Sequence, residues 1–392
     1  MHLIGIFRMK NIERVIDTES AINKAIECYK FLNIKYIVTE IKATEYISTY
    51  TVSLCEGKLQ GNGKGIGKQS LASALFEGLE HYIYRQSSSE DYMRKICDLH
   101  YTSRNLEYPL IYLNDKVDGE TEIAVSMFCD EKGGEFLYPT ILWNVYSKTA
   151  WENKRLQPIY KYMTNSGCAM GVSKEEAVLH AINEIVERTS IAQHYRRVFL
   201  EKKKAIFIDP LSLPERLKEI FEKVEAEIKE KITIVKVEPA IDGIACYLVF
   251  AKRTGNVPLK GAGASISEEY ACERALLECL QSYHLQCKET DEEDKMAQAA
   301  FKNLPLYSSI LNLNYMNYKY IEFPIKKKEE ITFANVILDV REKLHKAGIV
   351  YYTKCLFSYA GIYCMQVIMP EFVDKFYLVG DGIPVIPKGV VK

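Results

Sequence analysis

Apolar residues at helical spacing appear early in the chain: Ile22, Ala25, Ile26, Tyr29 and Leu32 fall three and four apart behind Thr18 and Ser20. This spacing predicts an amphipathic helix over 18–32. Residues 36–41 and 46–54 are β-rich, the second with Ser, Thr and Val in near alternation, and predict two strands. Helical periodicity returns over 217–228 and 335–346, while 232–237, 245–251, 349–353 and 363–368 read as short strands. Between residues 86 and 164, strand-like pieces at 110–113 and 122–125 stand among the turn sequences NDKVDGE and DEKGGE, which predicts a β-rich insertion over 86–164. The polar run CKETDEEDKMAQ at 287–298 suits an exposed connection or helix end, and 370–392 forms a C-terminal tail. Alternating β and α pieces define an α/β (α+β) chain of mixed sheets packed against helices. Its 392 residues fit one large domain, 1–392, built of subdomains.

The most ordered pattern is NSGCAMGVSKEEAVLHAINEIVERTS at 165–190. Ser173 followed three residues later by Glu176 is a reciprocal capping signal, so a helix begins near Lys174. Ala177, Val178, Ala181, Ile182, Ile185 and Val186 form its apolar side, and Glu176, His180, Glu184, Glu187 and Arg188 follow one another on the other side. The ladder recurs. Ala181, Glu184 and Glu187 match Ala74, Glu77 and Glu80 upstream and Ala275, Glu278 and Gln281 downstream, each set behind a glycine-rich lead-in (GNGKGIG at 61–67, SGCAMG at 166–171, GAGAS at 261–265). These spacings are too long for a solenoid of the usual ~20–50-residue period. They predict three related glycine-turn-helix units that meet in space, and acids converging from three helices repel one another unless cations sit among them.

GNGKGIGKQS falls short of a phosphate-binding P-loop, because Asn62 and Gln69 occupy positions that require glycine and Ser or Thr. Lys64, Lys68 and the free amides of a helix beginning near Ser70 could still form an anion site; a tight strand-to-helix turn with solvated lysines is the alternative. The balance of 51 basic against 52 acidic residues argues against general attraction to nucleic acid or membrane. The amino terminus lacks a signal-peptide core and no apolar run approaches the ~20 residues of a membrane span, which predicts a cytoplasmic protein. Eleven cysteines include no Cys-x-x-Cys pair and read mostly as small buried hydrophobes. Tyr138, Trp143, Tyr146, Trp151 and Tyr160 are read as core, and the basic cluster His194, Arg196, Arg197 and EKKK at 201–204 could face an anionic ligand or water, its lysines being read as solvated.

NGKGIGKQSLASALFEGLEHY, NSGCAMGVSKEEAVLHAINEIVER and ALLECLQSYH, in that order, resemble the YcaO-like family, whose members use ATP and magnesium to activate backbone amides. The resemblance covers residues 60–285, more weakly the N-terminal helix region and VIMPEF. It implies the family's fold around a central nucleotide site formed by Lys64, Ser73, Glu77, Glu80, Glu176, Glu184, Glu187, Arg188, Glu278 and Gln281, with Arg14 reaching the same place. It implies magnesium on Glu77, Glu80, Glu184 and Glu187, with Lys64 and Arg188 offsetting phosphate charge. In the family reaction a substrate Cys, Ser or Thr attacks the preceding amide, the oxyanion takes the γ-phosphoryl group, and loss of phosphate leaves an azoline; relatives use an external nucleophile to make thioamides or amidines. Implied partners are a precursor peptide, an E1-like leader-peptide-binding protein, a dehydrogenase in the same complex, and a second copy of the chain in a homodimer. His81 and Tyr283 replace family arginines and Ser166 an asparagine, and Pro384 and Pro387 do not form the alternating proline ending of many azoline-forming members. Gln281-Ser282-Tyr283 resembles the third motif of microcin-type heterocycle synthetases, which favours ring formation. A non-catalytic peptide-docking member and an accessory factor for ribosomal protein modification are the other readings.

Overall fold

The computed structural model describes residues 12–87, 92–99, 101, 106–147, 153–325, 332–373, 377–379 and 383–385. Trp151, Pro387 and most of the tail beyond 373 lie outside the described residues.

Each of the three units is a strand followed by a helix: Leu59–Gly63 with Gln69–Gln86, Cys168–Gly171 with Lys174–Tyr195, and Leu259–Ser265 with Glu268–His284. Each of these strands belongs to a different sheet. Leu59–Gly63 is one edge of a three-stranded antiparallel sheet with Ser48–Leu54 and Tyr36–Lys42. Cys168–Gly171 ends a six-stranded sheet, next to Ile362–Ile368 and then Tyr352–Tyr359, Glu122–Cys129 and Tyr92–Lys95, with Glu135–Pro139 also pairing Glu122–Cys129. Leu259–Ser265 is the edge of a five-stranded sheet whose order continues through Ala245–Ala251, Ile232–Val237, Ala205–Ile208 and Tyr318–Ile321. Only the last pair of that sheet is parallel.

The lead-in glycines are therefore largely strand residues, and turn flexibility is not their main role. A Cβ on Gly61 would stand 2.1 Å from the Gly78 nitrogen, and one on Gly261 would stand 2.2 Å from the Ala275 carbonyl oxygen. Strand and helix touch backbone to backbone, which only glycine permits. Gly167 is a true turn glycine, with φ at +83°.

The apolar pattern explains the layers. Ala245–Ala251 is buried at every position because it carries helices on one face of its sheet and an aromatic layer on the other. The helices are Glu215–Ile228 and Glu268–His284; the aromatic layer holds Tyr195, Phe199, Phe207 and Tyr315. Residues 110–113 are not a strand. They lie in the helix Tyr108–Lys116, where Pro109 suits the first turn and Leu110 and Leu113, three apart, face the core. The polar run at 287–298 lies in a helix, Lys288–Phe301. Tyr138 and Trp143 are core, Tyr160 is half-buried and Tyr146 is exposed. Six of the eleven cysteines are buried.

Candidate active site

The three unit helices present one face each to a single cavity of about 1550 Å³. Gln69–Gln86 contributes Ser73, Glu77 and Glu80; Lys174–Tyr195 contributes Glu176, Glu184, Glu187 and Arg188; Glu268–His284 contributes Glu278 and Gln281. Lys64 completes the set from the loop after its strand. All ten residues that the sequence nominated line the same space. Lys68 does not; it pairs with Glu19 at the surface, so the expected anion site of Lys64 with Lys68 is divided. His81 lines the cavity with its Nδ1 2.6 Å from the Gln60 carbonyl, whereas Tyr283 packs against the core behind its helix. Ser166 is turned to Thr164, 2.7 Å away, and Asn165 lines the wall instead.

Backbone amides fix several of the acids. Gly167 donates to Glu184 at 3.2 Å and Asn62 donates to Glu77 at 3.1 Å. Arg188, one turn beyond Glu184, pairs with it at 3.1 Å. Ser173 caps the central helix by accepting from the Glu176 amide at 3.1 Å. The Glu176 carboxylate does not return that bond. It accepts from Arg14 Nη1 and from the Val15 amide, both at 3.0 Å, and so ties an N-terminal strap across the cavity. Glu13, fully buried, anchors the strap further by accepting from Ser265 Oγ at 2.5 Å and Asn183 Nδ2 at 3.2 Å.

Burial pushes the carboxyls of Glu77 and Glu184 above their ordinary range and that of Glu80 well above it; the Glu184 charge raises Glu77 and Glu80 further, and Glu187 raises Glu184. Burial, then the nearby Arg274, pushes the Lys64 ammonium down to about 8 while the surrounding glutamates oppose this; Lys64 pairs with Glu278. His180 is held well below its ordinary range by burial and by Arg14 and Arg274. Among the described residues, no three acid, histidine or cysteine side chains already meet at metal-ligand spacing. The carboxylates ring the cavity without converging on one point. Hard Mg²⁺ usually keeps waters and takes one or two carboxylates plus phosphate oxygens, which suits such a ring. Arg14 Nε, Arg274 Nε and Gln281 Nε2 are buried donors with no partner among the described residues, and all three residues line the cavity. Crowded acids, several of them pushed upward by burial, beside donors that lack acceptors fit a magnesium-bound polyphosphate.

Sequence reasoning passed over Arg274, Glu13 and the Arg216–Glu273 pair, which also lines the cavity. Arg274 was within reach, since it stands one helical turn before Glu278. Nothing local marks Glu13.

The α/β fold that carries this cavity is shared with solved structures. YcaO from Methanopyrus kandleri bound with AMPPCP and Mg²⁺ matches 97% of this chain and 98% of its own at 14% identity and a TM-score of 0.66. A heterocyclase in complex with substrate and cofactor matches over 94% of this chain but 54% of its own length, at 17% identity and a TM-score of 0.67. The E. coli microcin synthetase McbBCD complex with pro-MccB17 matches over 91% and 93%, at 13% identity and a TM-score of 0.61. At these identities the likeness is one of fold. No curated protein matches the chain in sequence. The family model for YcaO cyclodehydratase, ATP- and Mg²⁺-binding, matches residues 62–373, and the chain belongs to that family. ATP and Mg²⁺ are accordingly its cofactors. Among the described residues no helix is long and apolar enough to cross a membrane.

Proposed function

We propose that this chain activates a peptide backbone amide with ATP and Mg²⁺ and closes a substrate Cys, Ser or Thr onto it, giving azoline rings in a ribosomally made precursor peptide. The observation that supports this most is the gathering of ten family-motif side chains from three strand-and-helix units onto one cavity. In this reading Glu77, Glu80, Glu184 and Glu187 hold magnesium. Lys64, Arg188 and Arg14 offset phosphate charge, and Ser73, Glu176, Glu278 and Gln281 orient the nucleotide. ATP supplies the phosphoryl group that turns the amide oxygen into a leaving group. The protein's own task is positioning: helix-borne acids and guanidiniums fix the phosphates against the amide. A leader-binding partner protein would deliver the precursor, a dehydrogenase could act on the product, and a homodimer is part of the same expectation.

Mass spectrometry of precursor incubated with ATP and magnesium, with and without sulfide, tests the reaction. Ring closure removes one water, about 18 Da by composition, in an intramolecular attack that needs no added nucleophile. A mass gain that depends strictly on sulfide would refute the azoline assignment and leave thioamide formation.

A further inference from the structure

We propose that the open edge of the strand Tyr318–Ile321 is a docking track on which an extended acidic segment of the peptide substrate adds as a further strand and is led into the cavity. The occupant's identity rests on the peptide-amide reading above; the surface is read from geometry.

Tyr318–Ile321 is the last strand of the five-stranded sheet and, among the described residues, pairs on one side only, parallel to Ala205–Ile208. The carbonyls of Asn317 and Ile321 accept from Ala205 and Asp209 on that side, each at 2.9 Å. By strand alternation, Tyr318 and Tyr320 aim their amides and carbonyls at the open side. Such a row of unpaired backbone groups is a template for strand addition. Two of its four side chains are exposed aromatics, Tyr318 at 47% and Tyr320 at 60% accessible, and Met316, two residues before the strand, is 93% accessible. Tyr318 and Tyr320 are held against the buried Phe207, with ring centroids 4.5 and 5.7 Å away, so they form a fixed shelf.

Charge selects the occupant. Lys203 and Lys204 are exposed immediately before Ala205, beside the start of the edge strand, and Lys319 is exposed on the strand itself; Glu322, just past the strand's end, is an exposed acid, so the basic side of the edge lies at its start. A second copy of this strand would set lysine near lysine, whereas an acidic segment would be matched. Position connects the track to the chemistry. Pro324, three residues beyond Ile321, lines the active-site cavity, roughly 10 Å further along at the rise of an extended chain. The basic run read as solvated from sequence thus gains a neighbour that gives it a use.

The test uses the full chain and a fluorescein-labelled short peptide alternating glutamate and valine, with a lysine–valine peptide as control. The acidic peptide is expected to bind, to weaken about tenfold in the Lys203→Glu/Lys204→Glu variant, and to slow amide hydrogen exchange at Tyr318 and Tyr320 about tenfold. Tyr320→Pro, which removes an outward donor, abolishes binding, and Tyr320→Phe retains it. Equal binding of the lysine–valine peptide, no binding, or binding with unchanged exchange at Tyr318 and Tyr320 overturns the track. AMP-PCP affinity measured on the same samples keeps the two readings apart. The lysine variant leaves nucleotide affinity unchanged, and Glu184→Gln weakens nucleotide while the acidic peptide still binds.

Discussion

Glu184→Gln separates the proposed metal role of the central helix from its structural role. In the folded chain Glu184 accepts from the Gly167 amide at 3.2 Å and faces Arg188 at 3.1 Å. A glutamine keeps the shape and an oxygen for Gly167 but removes the charge. Because burial already pushes this carboxyl upward and Glu187 repels it, neutralisation relieves a cost while weakening the Arg188 bond. These effects oppose each other, so stability should change by no more than about 1 kcal/mol, or about 2 °C in Tm. Nucleotide binding has no such compensation. Losing one charged partner of the metal costs about 1.5–3 kcal/mol, or about 10–150-fold in Kd. Calorimetric titration with AMP-PCP, with magnesium and again with EDTA, measures this beside thermal unfolding. An unchanged Kd in magnesium, or equal weakening in both titrations, would refute the metal role.

Gly261→Ala drives a Cβ into the Ala275 carbonyl, 2.2 Å away, and should destabilise the chain by about 3 kcal/mol, read from urea unfolding. Arg14→Ala leaves the buried Glu176 carboxylate with only the Val15 amide and should cost about 1–3 kcal/mol, part of which Glu176→Gln added to the same chain restores. Glu77, Glu80 and Glu184 are raised from their ordinary 4.5 in the fold, so between that value and their raised values the folded chain binds more protons than the unfolded one. Without metal, their contribution to stability is present below about pH 4.5 and lost as pH rises through the raised values. Lys64, pushed down to about 8, acts with the opposite sign and only above that pH. Magnesium requires the deprotonated acids, so its effect on Tm should grow from pH 5 to pH 7.5 and its binding should release protons; a Tm shift independent of pH would contradict this.

The sequence alone determined which residues share a helix face, because helical periodicity is local. Glu77, Glu80, Glu184, Glu187, Glu278 and Gln281 could be grouped by spacing alone, and the strands Ile232–Val237 and Ala245–Ala251 by their apolar runs. Where those faces point depended on contacts between distant residues. Glu176 looked like half of a capping box, yet its carboxylate is taken by Arg14 and Val15, more than 160 residues away in sequence. Residues 110–113 looked like a strand because a four-residue apolar run carries no period; Pro109 and the core beneath Leu110 and Leu113 made them a helix. The lead-in glycines were visible, but their reason was not, since the backbone that excludes a Cβ belongs to a helix that arrives only on folding. Glu13 is the extreme case: an unremarkable acid in sequence becomes a fully buried anchor because Asn183 and Ser265 are brought to it across three separate segments of the chain.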